Sequence, residues 1–202
     1  KFIIFIFYYK AYQYAAKNYD KARVSFEKLL ALAEEPDPEI CLRLALIEIN
    51  QNQYEKAYDL LMYTVQHMEI ALAWTCLGVC CMRMGDFTEA EASFSQANEM
   101  DKWDATTWGY CGVLCGKMNR RVEGEQAVIW ATKLKLRDYR LIQELLELFD
   151  ESAQGEETRS CLNELRNIQK EECHDPLESD LLIENNQEES QDQKIEEEEE
   201  DI

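Results

Sequence analysis

Eight cysteines are the residues of this 202-residue sequence best suited to chemistry, and four of them form two pairs at helical spacing. Cys76 and Cys80 are separated by four positions, as are Cys111 and Cys115. Two such pairs on neighbouring helices could offer four thiolates to Zn²⁺. Zinc sites more often use short Cys-x-x-Cys motifs, and unpaired cysteine is commonly buried as a small apolar residue. We therefore predict that these cysteines pack a core, and we expect neither a metal nor a cofactor.

Two other patterns resemble catalytic or nucleotide sites only superficially. No recognisable motif surrounds His67 or His174, and catalysis needs a base or nucleophile that a third group orients. Gly112, Gly116 and Lys117 suggest a phosphate-binding loop. Their spacing is one residue short, and a methionine follows the lysine where Ser or Thr would bind Mg²⁺. The sequence therefore predicts neither an enzyme nor a small-molecule substrate, and the two glycines are better interpreted as close helix contacts.

The net charge of −20 is concentrated at the C-terminal end. Residues 173–202 carry 13 acids and one base, a net charge of −12, which leaves −8 for residues 1–172. Nucleic-acid affinity depends on Lys and Arg, and anionic membranes also attract basic segments, so we expect neither partner. The apolar run 2–9 is also shorter than the roughly 20 residues of a membrane span.

Residues 173–202 are predicted to be a disordered acidic tail, because hydrophobicity is low and charge is high. Leu181, Leu182 and Ile183 within it could form a short docking strand, although plain disorder is the favoured interpretation. The sequence begins with Lys1, so we expect that residues preceding it are missing. Without a convincing secretory signal, the cysteines are expected to be reduced thiols in the cytoplasm.

A period of about 34 residues organises the rest of the chain. Trp74, Leu77, Gly78 and Cys81 recur 34 positions later as Trp108, Cys111, Gly112 and Cys115. Upstream, Tyr19, Ala22 and Phe26 match Tyr54, Ala57 and Leu61, and those match Phe87, Ala90 and Phe94. Downstream, only the hydrophobic spacing of Ile142, Leu145, Leu146 and Phe149 remains. The pattern predicts four repeats and a degenerate fifth over roughly residues 3–172.

Each repeat has the pattern of two amphipathic helices. One stripe contains Trp74, Leu77 and Gly78, and the partner stripe contains Ala90, Phe94 and Ala97. Gly85 or Asn119 stands where the first helix of a pair ends. The fold is therefore predicted to be all-α, an α-solenoid of stacked antiparallel helix pairs. The repeat core is predicted to contain Trp74, Leu77, Gly78, Ala90, Phe94, Ala97, Trp108, Gly112, Val128 and Ala131, with both glycines allowing close backbone approach.

This pattern resembles the tetratricopeptide repeat (TPR) family, most closely over residues 71–104. Two departures stand out: Cys81 and Cys115 occupy the family's aromatic position, and Lys102 stands where a proline is common. The resemblance implies a superhelix whose concave groove is lined by the first helix of each pair. It assigns to the partner-binding groove Arg43, Leu46, Asn50, Thr75, Val79, Met82, Arg83, Gly109, Tyr110, Val113 and Lys117.

These groove residues favour a helical or extended protein segment as the partner. The alternative interpretation, that they only pack the array, stays open. The family's carboxylate-binding Lys and Asn positions hold Thr75, Val79, Gly109 and Val113, which argues against chaperone tails. Arg83 is expected to lie in register with Lys117, either as solvated surface charge or against an acidic segment such as residues 196–201.

A narrower resemblance concerns the region from Thr107 to Leu136. The runs 107–110, 120–126 and 132–136 are similar to the last repeats of a family of cilia- and flagella-associated proteins. The resemblance implies a non-catalytic scaffold or adaptor in a ciliary or flagellar axonemal assembly. The alternative is a soluble co-chaperone-like or regulatory TPR adaptor.

Overall fold

The computed structural model describes residues 19–33, 35–149 and 155–171, and the regular structure within these ranges is helical. Residues 3–18 of the predicted repeat array and the predicted tail 173–202 lie outside the described residues. The helices are α1 (Tyr19–Leu32), α2 (Pro38–Asn50), α3 (Tyr54–His67), α4 (Ala71–Met84), α5 (Phe87–Met100), α6 (Ala105–Lys117), α7 (Arg121–Lys133), α8 (Tyr139–Phe149) and α9 (Glu156–Glu171).

The helices alternate as the first and second members of antiparallel pairs. First helices α2, α4, α6 and α8 begin 33, 34 and 34 residues apart, and second helices α1, α3, α5, α7 and α9 begin 35, 33, 34 and 35 residues apart. Each first helix packs on the second helix that follows it, and consecutive pairs stack. The predicted α-solenoid is therefore confirmed. Within the described ranges, no helix combines the length and the apolar character needed to cross a membrane.

Short polar residues set the ends of several helices. The carboxylates of Asp37, Asp86 and Asp104 accept hydrogen bonds from the first backbone N–H groups of α2, α5 and α6. Gly85 ends α4 with φ +90°, a left-handed conformation that suits glycine. Asn119 adopts φ +59° just after α6, because asparagine tolerates this region better than most residues. The turn residues therefore lie where the repeat pattern predicts that a helix ends.

The predicted repeat core lies between the two helices of each pair. Its aliphatic and phenylalanine side chains are each at most 1% exposed: Leu77, Ala90, Phe94, Ala97, Val128 and Ala131. Trp74 and Trp108 are half-buried at the margin. The closest approach to Gly78 is a side chain, not the expected backbone, because a Cβ there would lie 2.6 Å from the Phe94 ring.

Candidate protein-binding groove

The predicted groove residues all lie on first helices, but they differ sharply in exposure. Those accessible to solvent to some degree are Arg43, Leu46 and Asn50 on α2, Arg83 on α4, and Tyr110 and Lys117 on α6. Those that are buried are Thr75, Val79 and Met82 on α4, and Gly109 and Val113 on α6. Met82 is 3% exposed and Val113 is fully buried. The assignment of these five residues to an accessible groove lining is wrong, and they pack the array instead.

Helix α8 covers the inner face of α6, which explains the burial there. A Cβ on Gly109 would lie 2.7 Å from Leu141 Cδ2, and one on Gly112 would lie 3.0 Å from Leu145 Cδ2. A Cβ on Gly116 would lie 3.2 Å from Leu148 Cδ1. These glycines let the apolar face of α8 approach the α6 backbone. The pair Gly112 and Gly116 is thus in helix contact.

A buried hydrogen bond also joins α4 to α6. Thr75 Oγ1 and Thr107 Oγ1 are 2.7 Å apart, and Thr75 Oγ1 also donates to the Ala71 carbonyl at 3.1 Å. Thr107 Oγ1 is 2.5 Å from Asp104 Oδ2. The Thr75 hydroxyl is therefore engaged within the array and cannot serve a partner.

A charged cluster closes the concave face across three first helices. Arg83 on α4 donates two hydrogen bonds to Glu144 on α8, at 2.7 Å and 2.6 Å. Lys117 Nζ on α6 lies 3.2 Å from the same carboxylate. A two-pronged contact of this kind fits the planar guanidinium better than a single-point contact would. Arg83 and Lys117 therefore do meet an acidic group, but it is Glu144 of the array.

The environment of this cluster shifts the pKa of its members in a consistent direction. Burial alone would raise the pKa of Glu144, but the hydrogen bonds and charges of Arg83 and Lys117 outweigh it and lower that pKa. The hydrogen bond to Glu144 raises the pKa of Arg83. Both ionised forms are thus favoured, and the cluster is a stable ion pair at neutral pH.

Tyr110 lies beside the charged cluster with its ring in the core. The ring is parallel to that of Phe94, with centroids 6.2 Å apart. Burial is the main cause of a raised pKa for its hydroxyl, and the charge of Asp138 adds to it. The phenol is therefore neutral over the physiological range, and the residue is half-buried.

The accessible part of the inner face lies towards α2. Arg43 is bonded to Glu39 at 2.6 Å, Leu46 is half-buried, and Asn50 is exposed at the end of the helix. A cleft of about 380 Å³ opens between the α2–α3 turn and the end of α4; it is lined by Asn52, Gln53, Tyr54, Glu55, Lys56, Arg83 and Met84. This combination of polar and apolar groups can receive the side chains of a protein segment.

Of the described cysteines, Cys41, Cys76, Cys80, Cys81 and Cys161 are buried in the array, and Cys111 and Cys115 are half-buried. Burial is the main cause of raised thiol pKa values, to about 12 for Cys76, Cys80 and Cys111 and about 11 for Cys81. Asn98 Nδ2 donates to Cys111 Sγ at 3.6 Å. Among the described residues, no cluster of three or more His, Cys, Asp or Glu side chains is arranged for a metal. The thiols are protonated packing groups at neutral pH.

His67 and Lys117, the lysine of the glycine-lysine sequence, both make contacts within the array. His67 ends α3, where its Nδ1 lies 2.8 Å from the Tyr63 carbonyl and its ring stacks on Tyr63. Lys117 ends α6 and belongs to the charged cluster.

Two features were missed by the sequence reasoning. Glu144 follows Tyr110 by 34 residues, so the period could have placed it on the inner face. The second feature is a tryptophan patch on the outer edge, formed by Trp103, Trp108 and Trp130. The sequence pattern did not indicate it, because only Trp108 falls on a repeat position.

Comparison with known proteins identifies close sequence relatives. The family described as the cilia and flagella-associated protein 70 C-terminal domain matches residues 10–201. Cilia- and flagella-associated protein 70 of Homo sapiens is 34% identical over 130 residues, which cover 63% of this chain and 12% of that protein. The protein of the same name from Macaca fascicularis is 39% identical over 106 residues, covering 52% and 10%. The matches thus span about a tenth of the relatives' length.

Solved structures show similarity of fold. MamA superimposes with a TM-score of 0.63 at 16% identity, covering 77% of this chain and 91% of that structure. A thermophilic TPR protein of Thermus thermophilus gives 0.65 at 18% identity, covering 85% and 90%. YrrB, described as a TPR protein with an unusual peptide-binding site, gives 0.57 at 14% identity, covering 77% and 80%.

Proposed function

Because the chain belongs to the family of the cilia and flagella-associated protein 70 C-terminal domain, we propose that it is a scaffold within a ciliary or flagellar axonemal assembly. Family membership and the TPR fold support a role as a protein-interaction adaptor. The axonemal location rests on the names of the relatives. The chain acts without catalysis, by holding another protein.

The observation that carries this proposal is the accessible inner surface around α2 and the end of α4. Arg43 and Asn50 offer hydrogen-bonding groups, and Leu46 offers an apolar contact between them. Arg83 and Met84 line the cleft between the α2–α3 turn and the end of α4. A partner bound as a helix or an extended segment can insert side chains here and satisfy its polar groups along the rim.

The co-chaperone alternative is disfavoured by the same geometry. The positions that would hold a terminal carboxylate are Thr75, Val79, Gly109 and Val113, and all four are buried within the array. Leaving a carboxylate among them without donors would cost more than its binding contributes.

The test uses the full chain as bait for proteins extracted from isolated axonemes. The groove variant is Leu46→Glu with Asn50→Glu, and the matched control is Ser95→Glu with Gln96→Glu on the exposed outer face of α5. Both add two negative charges. Bound proteins are quantified by mass spectrometry, and circular dichroism verifies that both variants are folded.

We expect axonemal proteins to be retained by the wild type and the control and reduced at least tenfold by the groove variant. Enrichment of chaperones in place of axonemal proteins would overturn the ciliary assignment. Equal retention by the groove variant and the control would overturn the use of this surface.

A further inference from the structure

An exposed tryptophan patch lies away from the concave face, on the edge where second helices end and the next first helices begin. Trp103 in the α5–α6 loop is 65% exposed, and Trp130 on α7 is 44% exposed. Trp108 joins them: its ring lies 6.1 Å from that of Trp130, and its Nε1 donates to the Lys102 carbonyl at 2.9 Å. Trp108 thus contacts Trp130 directly, and its hydrogen bond links it to the residue that precedes Trp103.

Large exposed aromatic surface is costly in water, and tryptophan is enriched where proteins make contact. The Lys102 ammonium lies 5.6 Å from the Trp103 ring centroid, and the Lys133 ammonium lies 5.9 Å from that of Trp130. The patch therefore combines apolar faces with two positive charges.

A segment beside the patch is locally basic, although the protein as a whole is acidic. Residues 133–140 contain four bases and one acid. Lys133 and Lys135 contact Glu157 and Glu164 through pairs that stay largely in solvent. Such pairs contribute little and are readily exchanged for another carboxylate. An acidic apolar segment is the complementary occupant.

This chain contains such a segment after α9. Residues 172–202 carry 14 acids and one base, and Leu181, Leu182 and Ile183 stand between Asp180 and Glu184. Lys135 Nζ lies 3.1 Å from Glu164, so this part of α9 is beside the end of α7, and α9 continues for seven residues, about 10 Å, to Glu171. Leu181 is ten residues further on, a reach of about 33 Å when extended. The segment thus starts within reach of the patch.

We propose that residues 180–184 bind the tryptophan patch of their own chain, with the three aliphatic side chains on the rings and the flanking carboxylates at Lys102 and Lys133. This contact is independent of the concave groove. It covers the exposed aromatic surface and directs the acidic residues along the basic segment.

The test follows the indole N–H signals of the full chain by NMR, with each tryptophan assigned by its Phe variant. The segment variant carries Leu181→Ser, Leu182→Ser and Ile183→Ser; the control carries Ile195→Ser and Ile202→Ser. Both sets lie beyond α9, so the array stays folded in each. Spectra are also recorded in 1 M NaCl, where the Debye length is about 3 Å.

We expect the segment variant to shift the Trp103 and Trp130 signals at least threefold more than that of Trp74, which packs against the core. High salt should shift the same two signals in the same direction, and the control should leave them in place. Unchanged Trp103 and Trp130 signals in the segment variant would overturn the proposal. Signals that move with protein concentration would also overturn it, because a second copy would then be the occupant.

Discussion

The inner faces of α2 and α6 differ in solvent exposure at one equivalent repeat position. Leu46 on α2 is partly accessible, whereas Val113, which occupies the equivalent position on α6, is fully buried. The difference arises from residue size, because α6 presents three glycines on which α8 packs. Helix periodicity identifies the face that points inward, but the neighbouring repeat decides whether a partner can reach it.

Removal of the side chain that anchors α8 is expected to have the largest effect on the free energy of unfolding. Phe149 is 1% exposed and lies against Gly116 and Gly124. We expect Phe149→Ala to lower the free energy of unfolding by about 3–5 kcal/mol, because a cavity replaces buried ring contacts. Urea denaturation monitored by circular dichroism measures the change. Tyr139→Ala, at a residue 42% exposed on the same helix, is the control. Losses of similar size in both variants would contradict the role of Phe149.

A smaller effect is expected from adding bulk between α6 and α8. Gly109→Val should cost roughly 1–3 kcal/mol, because its Cβ would already be 2.7 Å from Leu141 before the methyl groups are added. Gly112→Ala should be nearly neutral, since the nearest atom is the flexible end of Leu145 at 3.0 Å. Thermal unfolding of both variants tests this order. A neutral Gly109→Val would show that α8 is not held against the α6 backbone.

The charged cluster should contribute less, about 1 kcal/mol, because its side chains remain partly exposed. Glu144→Gln removes the carboxylate, and Glu147→Gln on the exposed side of α8 is the matched control. The lowered pKa of Glu144 means that its contribution is present above its ordinary pKa of 4.5 and is lost as the pH falls through the lower, folded-state pKa. Unfolding free energies measured between pH 3 and 7 should therefore converge for wild type and Glu144→Gln at the acidic end. A constant difference would exclude the ion pair as its source.

Periodicity was sufficient to predict the array, because Trp74, Leu77 and Phe94 act within a single helix pair. It also placed the helix breaks, since Gly85 meets a local backbone requirement. The burial of Met82 and Val113 could not be predicted from periodicity. It depends on how closely successive repeats approach, and that distance is set by residues in another repeat.

Glu144 illustrates the same limit for charge. Its position in the period indicates the inner face, but its contact with Arg83 spans 61 positions and joins α4 to α8, two helix pairs further along the array. Trp103 lies in a connecting loop, where no helical period applies. These residues give the array its individual surfaces, whereas the repeated residues give it the common fold.

Hydroxyl-radical footprinting of two methionines on α4 tests most directly whether the inner face is buried from solvent. Met82 is 3% exposed and Met84 is 42% exposed, and the two are separated by one residue. Mass spectrometry of the full chain should show Met84 oxidised at least five times faster than Met82, and Phe149→Ala should reduce that ratio. Equal rates in the wild type would contradict this account, because Met82 would then be open to solvent and available to a partner.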